Sequence, residues 1–227
     1  MLSDWEVDFR NYLQEVNRLI SKDKLLYGDT HHKTILSDIM NIDFNEKYKL
    51  FVMSPPYPNY RDYSKIFRIE NVVLERVFLH RPYDFSNMVG SNVVKGKTYG
   101  EIIAPVVQKF LNDLQEKAKK IKKKGERDIT TYYYPYFSQY FYGMQQVYHK
   151  INTLLDESCV GYIVVNDNIT RDILIPVGQS ICETFQMMGY SAKDIDVSEV
   201  SHMGNLARSA KRINSRHIRH IIKVWKR

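Results

Sequence analysis

The sequence predicts an α/β protein whose sheet carries helices on both faces. Two short apolar runs, at 48–53 and 161–165, have the length and composition of buried strands. Long rows of apolar residues at spacings of three and four lie around them and read as helices. Two further β-rich stretches, at 195–200 and 218–225, close the chain.

Each element has its own reason. Trp5, Phe9, Leu13, Val16 and Ile20 form an amphipathic row, so 4–20 reads as a helix with Ser3 or Asp4 as its cap. Residues 34–36 read as a short apolar strand ending at Ser37-Asp38. The run 48–53 is the next strand. Ile66, Ile69, Val73 and Val77 mark a helix within 60–79, and 80–97, with Gly90 and Gly96, reads as loop. Residues 101–120 form another helix before Gly125. The cluster from Tyr132 to Phe137 opens a long helix to about Leu155, whose row Phe141, Met144, Val147, Ile151 and Leu155 faces the core. Its aromatic residues are expected to be core rather than a stacking platform. The strand 161–165 ends in Asn166-Asp167-Asn168, and 176–188 is a helix closed by Gly189-Tyr190.

The chain has 227 residues, enough for one sizeable core or one core plus an extension. Residues 1–33 read as a helical extension, 34–227 as the main domain, and 61–131 as a helical insert. No apolar run reaches ~18 residues, so no membrane span is expected. Asp4, Glu6 and Asp8 near the start argue against a signal peptide. Cys159 and Cys182 sit in apolar patterns and fit reduced thiols in a cytoplasmic protein. His31-His32 is the only histidine pair, and adjacent residues rarely face one ion, so no metal is expected. The net charge is +7, and no acidic residue follows Glu199. Arg208, Lys211, Arg212 and Arg216 therefore make a one-signed tail suited to a polyanion, with a solvated basic strand and loop as the plainer reading. The lysine run at 117–124 is equally a solvated helix end favoured by the macrodipole.

The most informative stretch follows the strand 48–53. Ser54-Pro55-Pro56-Tyr57-Pro58-Asn59 places two prolines at the carboxyl end of a strand, where open α/β sheets bind ligands. The prolines fix φ and remove two backbone donors. The Ser54 and Pro55 carbonyls and the Ser54 hydroxyl are left as acceptors, and Tyr57 supplies a flat apolar face. That set suits a planar ring bearing an exocyclic amine.

The string 54–63, Ser-Pro-Pro-Tyr-Pro-Asn-Tyr-Arg-Asp-Tyr, resembles the catalytic motif of the amino-group DNA methyltransferases, in the serine form typical of cytosine-N4 enzymes. The resemblance implies a Rossmann-like methyltransferase fold over roughly 34–227, with S-adenosylmethionine as cofactor and double-stranded DNA as substrate. It implies catalytic roles for Ser54, Pro55, Pro56 and Tyr57. Asn59, Tyr60 and Arg61 would hold the loop or reach phosphates, and Asp38 is a weak match for the carboxylate that contacts the cofactor's adenine.

One family feature has no counterpart. The Gly-rich loop that binds the cofactor, and the strand before it, are not found among the ten glycines. The chain thus reads as the second half of the sheet, with open strand edges and apolar faces: either a second polypeptide carries the cofactor loop, which is the favoured reading, or this is a fragment or a degenerate copy. One subunit of a cytosine-N4 enzyme of a restriction–modification pair, with the insert 61–131 contacting DNA, is the leading expectation. Adenine-N6 or RNA methylation, and an inactive DNA-binding or scaffold subunit, stand beside it.

Overall fold

The computed structural model describes residues 39–58, 68–73, 75–76, 89–90, 99–120, 129–170, 173–200 and 217–226, with isolated positions between 11 and 38. By contacts the chain divides into two units, Met1–Asp38 and Ile39–Arg227. In the first unit Asn11, Gln14, Glu15 and Arg18 are helical, and Arg18 pairs with Glu15 at 2.6 Å. Of the strand expected at 34–36, Ile35 is the described residue. It is 40% exposed and outside any strand.

The second unit is an α/β structure built on a mixed five-stranded sheet of order β1-β2-β5-β4, with β3 paired to β2. The strands are β1 (Tyr48–Met53), β2 (Leu155–Thr170), β3 (Ile173–Ile175), β4 (Tyr190–Val200) and β5 (His217–Lys226). The described helices are α1 (Arg68–Val73), α2 (Pro105–Lys120), α3 (Tyr134–Leu154) and α4 (Val177–Met187).

β1 and β2 are parallel, in register from Leu50 opposite Val160 to Met53 opposite Ile163. A parallel pair needs a long crossover, and α2 and α3 lie within it. Gly161 stands opposite Phe51, and a Cβ there would fall 2.0 Å from the Phe51 ring. That ring occupies the space a side chain would need and stacks on Phe185 of α4 at 6.2 Å.

The run 48–53 is a strand as expected, but not a buried one. Among the described residues β1 ends the sheet, and Leu50 and Val52 are 60% and 69% exposed. Apolar composition alone does not separate a central strand from an edge strand with one covered face. β2 in turn does not stop at Asn166-Asp167-Asn168. It continues to Thr170 and returns as β3, with Thr170 opposite Ile173.

β5 runs antiparallel between β2 and β4, with Ile163 opposite Ile222 and Ser191 opposite Trp225. β4 begins at Tyr190, directly after Gly189 (φ +87), rather than near Ile195. A left-handed residue there costs glycine little and turns the chain straight from helix into strand. Lys193 and Asp194 hide the early start, because they break the apolar alternation.

The core lies between one sheet face and α2, α3 and α4. Val107, Phe110, Leu111 and Leu114 of α2 are buried in it with Phe137, Met144, Ile163, Phe185 and Ile222. The aromatic cluster is core, as expected: Tyr136, Phe137 and Tyr140 are buried, and a π-helical turn (Ile129–Tyr133) leads into α3. Val147 and Ile151 pack against the cluster, while Leu155 is buried as the first residue of β2. Ile69, expected on an apolar row, is 79% exposed on α1. α2 begins at Pro105, where a missing N–H costs nothing. The residues before it are held by Gln145, which accepts from Ile103 N and donates to the Glu101 carbonyl at 2.9 Å each, so that 101–104 stays extended. Glu183 of α4 accepts from Val106 N at 2.7 Å, placing a carboxylate at the α2 N-terminus. Among the described residues no helix is long and apolar enough to cross a membrane.

Candidate active site

The chain leaves β1 at Met53 and passes through Ser54, Pro55, Pro56 and Tyr57 at the carboxyl end of the parallel pair. Ser54 is exposed, Pro55 and Pro58 are buried, and Pro56 and Tyr57 are half-buried. Proline packing thus roots the turn while its serine faces solvent. Tyr57 packs partly against the core. Its hydroxyl is 3.3 Å from Ser54 Oγ, longer than the roughly 2.7–2.8 Å of a good hydroxyl pair. That weak contact leaves the serine able to serve another partner.

The turn is pinned from beneath. Tyr140 of α3, 1% exposed, donates its hydroxyl to the Pro56 carbonyl at 2.8 Å. One helical turn on, Gly143 makes room for Val89, and Gly90 (φ +84) lies against the loop, 3.9 Å from Pro56 Cβ and the Tyr57 carbonyl when a Cβ is built on it. Loop, turn and helix are thereby layered. A small void beside Tyr140, lined also by Gln145, Tyr148, Ser180 and Thr184, has room for about one water and not for a base.

Ser54, Pro55, Pro56 and Tyr57 are therefore brought together at the sheet rim. Asp38 is exposed and belongs to the first unit. Asn59, Tyr60, Arg61, Arg208, Lys211, Arg212 and Arg216 lie outside the described residues, as do His31 and His32. Of the described terminal cations, Lys226 pairs with Glu157 at 2.7 Å, Arg219 is 3.9 Å from Asp196, and Lys223 sits over the Trp225 ring. Lys119, in the lysine run, pairs with Glu116 at 2.6 Å. Cys159 and Cys182 are free, and burial pushes both thiols up, Cys182 to about 11. Among the described residues no cluster of His, Cys, Asp and Glu is arranged to hold a metal.

A second polar cluster went unforeseen. His220 of β5 lies between Asp167 of β2 and Asp194 of β4. Its Nδ1 bonds Asp194 Oδ2, and its Nε2 is 3.3 Å from Asp167 Oδ2, within ion-pair range but off the hydrogen-bond direction. Asp167 Oδ1 accepts from Gly178 N at 2.8 Å, so this carboxylate also caps α4. The imidazole is pushed up to about 9, by Asp167 first and Asp194 second, against the opposing effect of burial. Gly178 is needed here, because a Cβ would meet the His220 ring at 2.7 Å. The polar trio 166–168 was the one local signal, and nothing local ties it to residues on two other strands.

No family model matches this chain, and neither a curated protein nor a solved structure is significantly similar to it.

Proposed function

We propose that this chain is the catalytic-loop subunit of a DNA methyltransferase acting on the N4 amine of cytosine. The observation that carries the reading is the Ser54-Pro-Pro-Tyr57 turn at the carboxyl end of a parallel strand pair, with Ser54 exposed and the Pro56 carbonyl pinned by Tyr140. The element order supports a Rossmann-like domain: catalytic strand, helical crossover, parallel strand, helix and a closing antiparallel pair. The open edge at β1 is what a half-sheet would leave.

The target base leaves the duplex to reach the turn. Tyr57 stacks on its ring. The Pro56 carbonyl is already taken by Tyr140, so Ser54 Oγ and the Pro55 carbonyl accept from the exocyclic amine. Two acceptors in fixed positions draw the amine hydrogens into place and weaken conjugation of its nitrogen with the ring. Rigid positioning of preorganised dipoles, rather than a strong base, supplies the acceleration.

The described residues do not form a cradle for S-adenosylmethionine. Gly90 and Gly189, the described glycines with positive φ, sit in separate turns, and Asp38 lies in the other unit. In this reading the donor is bound outside the described residues, on a second polypeptide, and the Ser54 turn acts on the base.

Ser54→Ala in the assembled enzyme is expected to lower methylation about 100-fold, the usual scale for losing one positioned polar group, with DNA affinity little changed. Tyr57→Ala is expected to weaken both. Full activity in either variant overturns the assignment. The lack of a cofactor loop favours a silent scaffold subunit as the second reading, and that reading requires Ser54→Ala to be without effect. Mass spectrometry of the methylated nucleosides separates cytosine N4 from adenine N6 and DNA from RNA.

A further inference from the structure

The void beside Tyr140 lies where α2, α3 and α4 meet. Tyr140, Met144 and Tyr148 line it from α3, each four residues on from the last, a spacing that puts them on one helix face. Ser180 and Thr184, also four apart, line it from α4, and Ala104 and Val107 border it at the start of α2. It has room, about 10 Å³, for the centre of one water molecule and not for a larger ligand.

The polar groups around it are unequally engaged. Ser180 Oγ donates to the Val177 carbonyl and Thr184 Oγ1 to the Ser180 carbonyl, both at 2.7 Å. A hydroxyl has one hydrogen, so each of these oxygens has only lone pairs left to offer. Gln145 is engaged at both ends of its amide, by Ile103 N and by the Glu101 carbonyl. Tyr148 differs. It is 3% exposed, and among the described residues its hydroxyl has no hydrogen-bond partner; burial alone pushes the phenol up. A buried hydroxyl left unpaired is costly and rare in folded proteins.

We propose that this void is a binding site for one structural water, which accepts the Tyr148 hydroxyl hydrogen and donates its own two to the oxygens of Ser180 and Thr184. The count of hydrogens selects the ligand. One hydroxyl with a hydrogen to give and two oxygens with none left require an occupant that accepts once and donates twice. A bare anion has no hydrogen to donate, and a metal cation would meet no carboxylate among the lining residues. An apolar filler would leave Tyr148 unpaired. The water ties α4 to the face of α3 that also carries Tyr140, and so steadies the helix that pins Pro56. The site stands whatever the Ser54 turn binds.

The test is a crystal structure of the full chain that shows ordered water, with melting temperatures of Tyr148→Phe, Thr184→Val and the double variant. One water within about 3.2 Å of Tyr148 Oη and of the Ser180 or Thr184 oxygen is expected. Tyr148→Phe is expected to melt about 2–4 °C lower, the scale for losing one hydrogen bond in a chain of this size. Thr184→Val should cost less in the Tyr148→Phe background than alone, because the two residues share the water. A void closed by Met144, or a Tyr148 hydroxyl bonded directly to protein, overturns the proposal. So does a Tyr148→Phe that melts higher, since removing an unpaired hydroxyl relieves its cost, and so do additive effects of the two substitutions.

Discussion

Two polar regions of this molecule contrast sharply. At the rim, Ser54 is exposed, its side-chain contact with Tyr57 is a long one, and the turn is fastened through Pro56 rather than through the serine. At the centre of the sheet, Asp167 is buried and His220 largely so; His220 Nδ1 bonds Asp194, its Nε2 faces Asp167 off the hydrogen-bond direction, and Asp167 Oδ1 takes the α4 N-terminus. The His–Asp cluster has the residue types usually associated with catalysis, yet its groups are engaged in joining three strands and a helix. The plainer Ser-Pro-Pro-Tyr set keeps its Ser54 hydroxyl where a ligand can reach it. Residue type is therefore a weaker guide to a site than whether the fold has already used the group.

The largest effect that tests this contrast is at Asp167. Asp167→Ala leaves the His220 imidazolium facing Asp194 alone and removes the α4 cap. Breaking a buried pair in this way costs about 3 kcal/mol. Urea denaturation at pH 7 reads it, and a loss under about 1 kcal/mol would show that the cluster is not holding the strands to α4.

Next comes pH. The His220 imidazole is raised to about 9 from an ordinary 6.5, so its contribution is full below 6.5 and is lost as pH rises through 9. Folded stability is expected to fall by about 2 kcal/mol between pH 6 and pH 9.5, a figure discounted because the Asp167 contact lies off the hydrogen-bond direction. In His220→Gln that slope flattens. An unchanged slope would mean that the charge on His220 is not coupled to folding.

These two regions were unequally legible in the sequence. The rim was readable because everything that defines it is contiguous: an apolar strand, two prolines, a serine and a tyrosine within ten residues, 48–57. The cluster was not, because Asp167, Asp194 and His220 meet only through the β2–β5–β4 register. The Tyr140–Pro56 bond spans 84 residues and has no local signal either. Helices 134–154 and 177–187 and the strand at 161–165 were recoverable from periodicity, since burial imposes it directly. The edge position of β1 was hidden, because Leu50 and Val52 have the composition of core residues. The early start of β4 was hidden by charged residues that a half-open strand tolerates.

Tyr140→Phe sharpens the comparison from beneath. It removes a donor from the Pro56 carbonyl while keeping the ring in the core, so stability is expected to fall by about 1 kcal/mol. Its larger consequence is at the turn. On the methyltransferase reading proposed above, a loosened Pro56 lets the Ser54 acceptors drift, and methylation is expected to drop several-fold while DNA affinity holds. A Tyr140→Phe enzyme with unaltered turnover would separate the pin from the site.

The smallest expected change in stability is at Ser54 itself. The side chain is exposed, and among the described residues its contact is the 3.3 Å approach to Tyr57, so Ser54→Ala should move the unfolding free energy by no more than about 0.5 kcal/mol. The prediction is informative because Asp167→Ala should do the opposite, damaging the fold far more than any chemistry at the rim. A group retained for function is one whose removal the fold barely registers, and a group retained for structure is one whose removal it cannot absorb. If thermal and urea denaturation showed Ser54→Ala to cost as much as Asp167→Ala, the serine would have to be counted among the residues that build the turn. Its hydroxyl would then no longer be available to seat an amine.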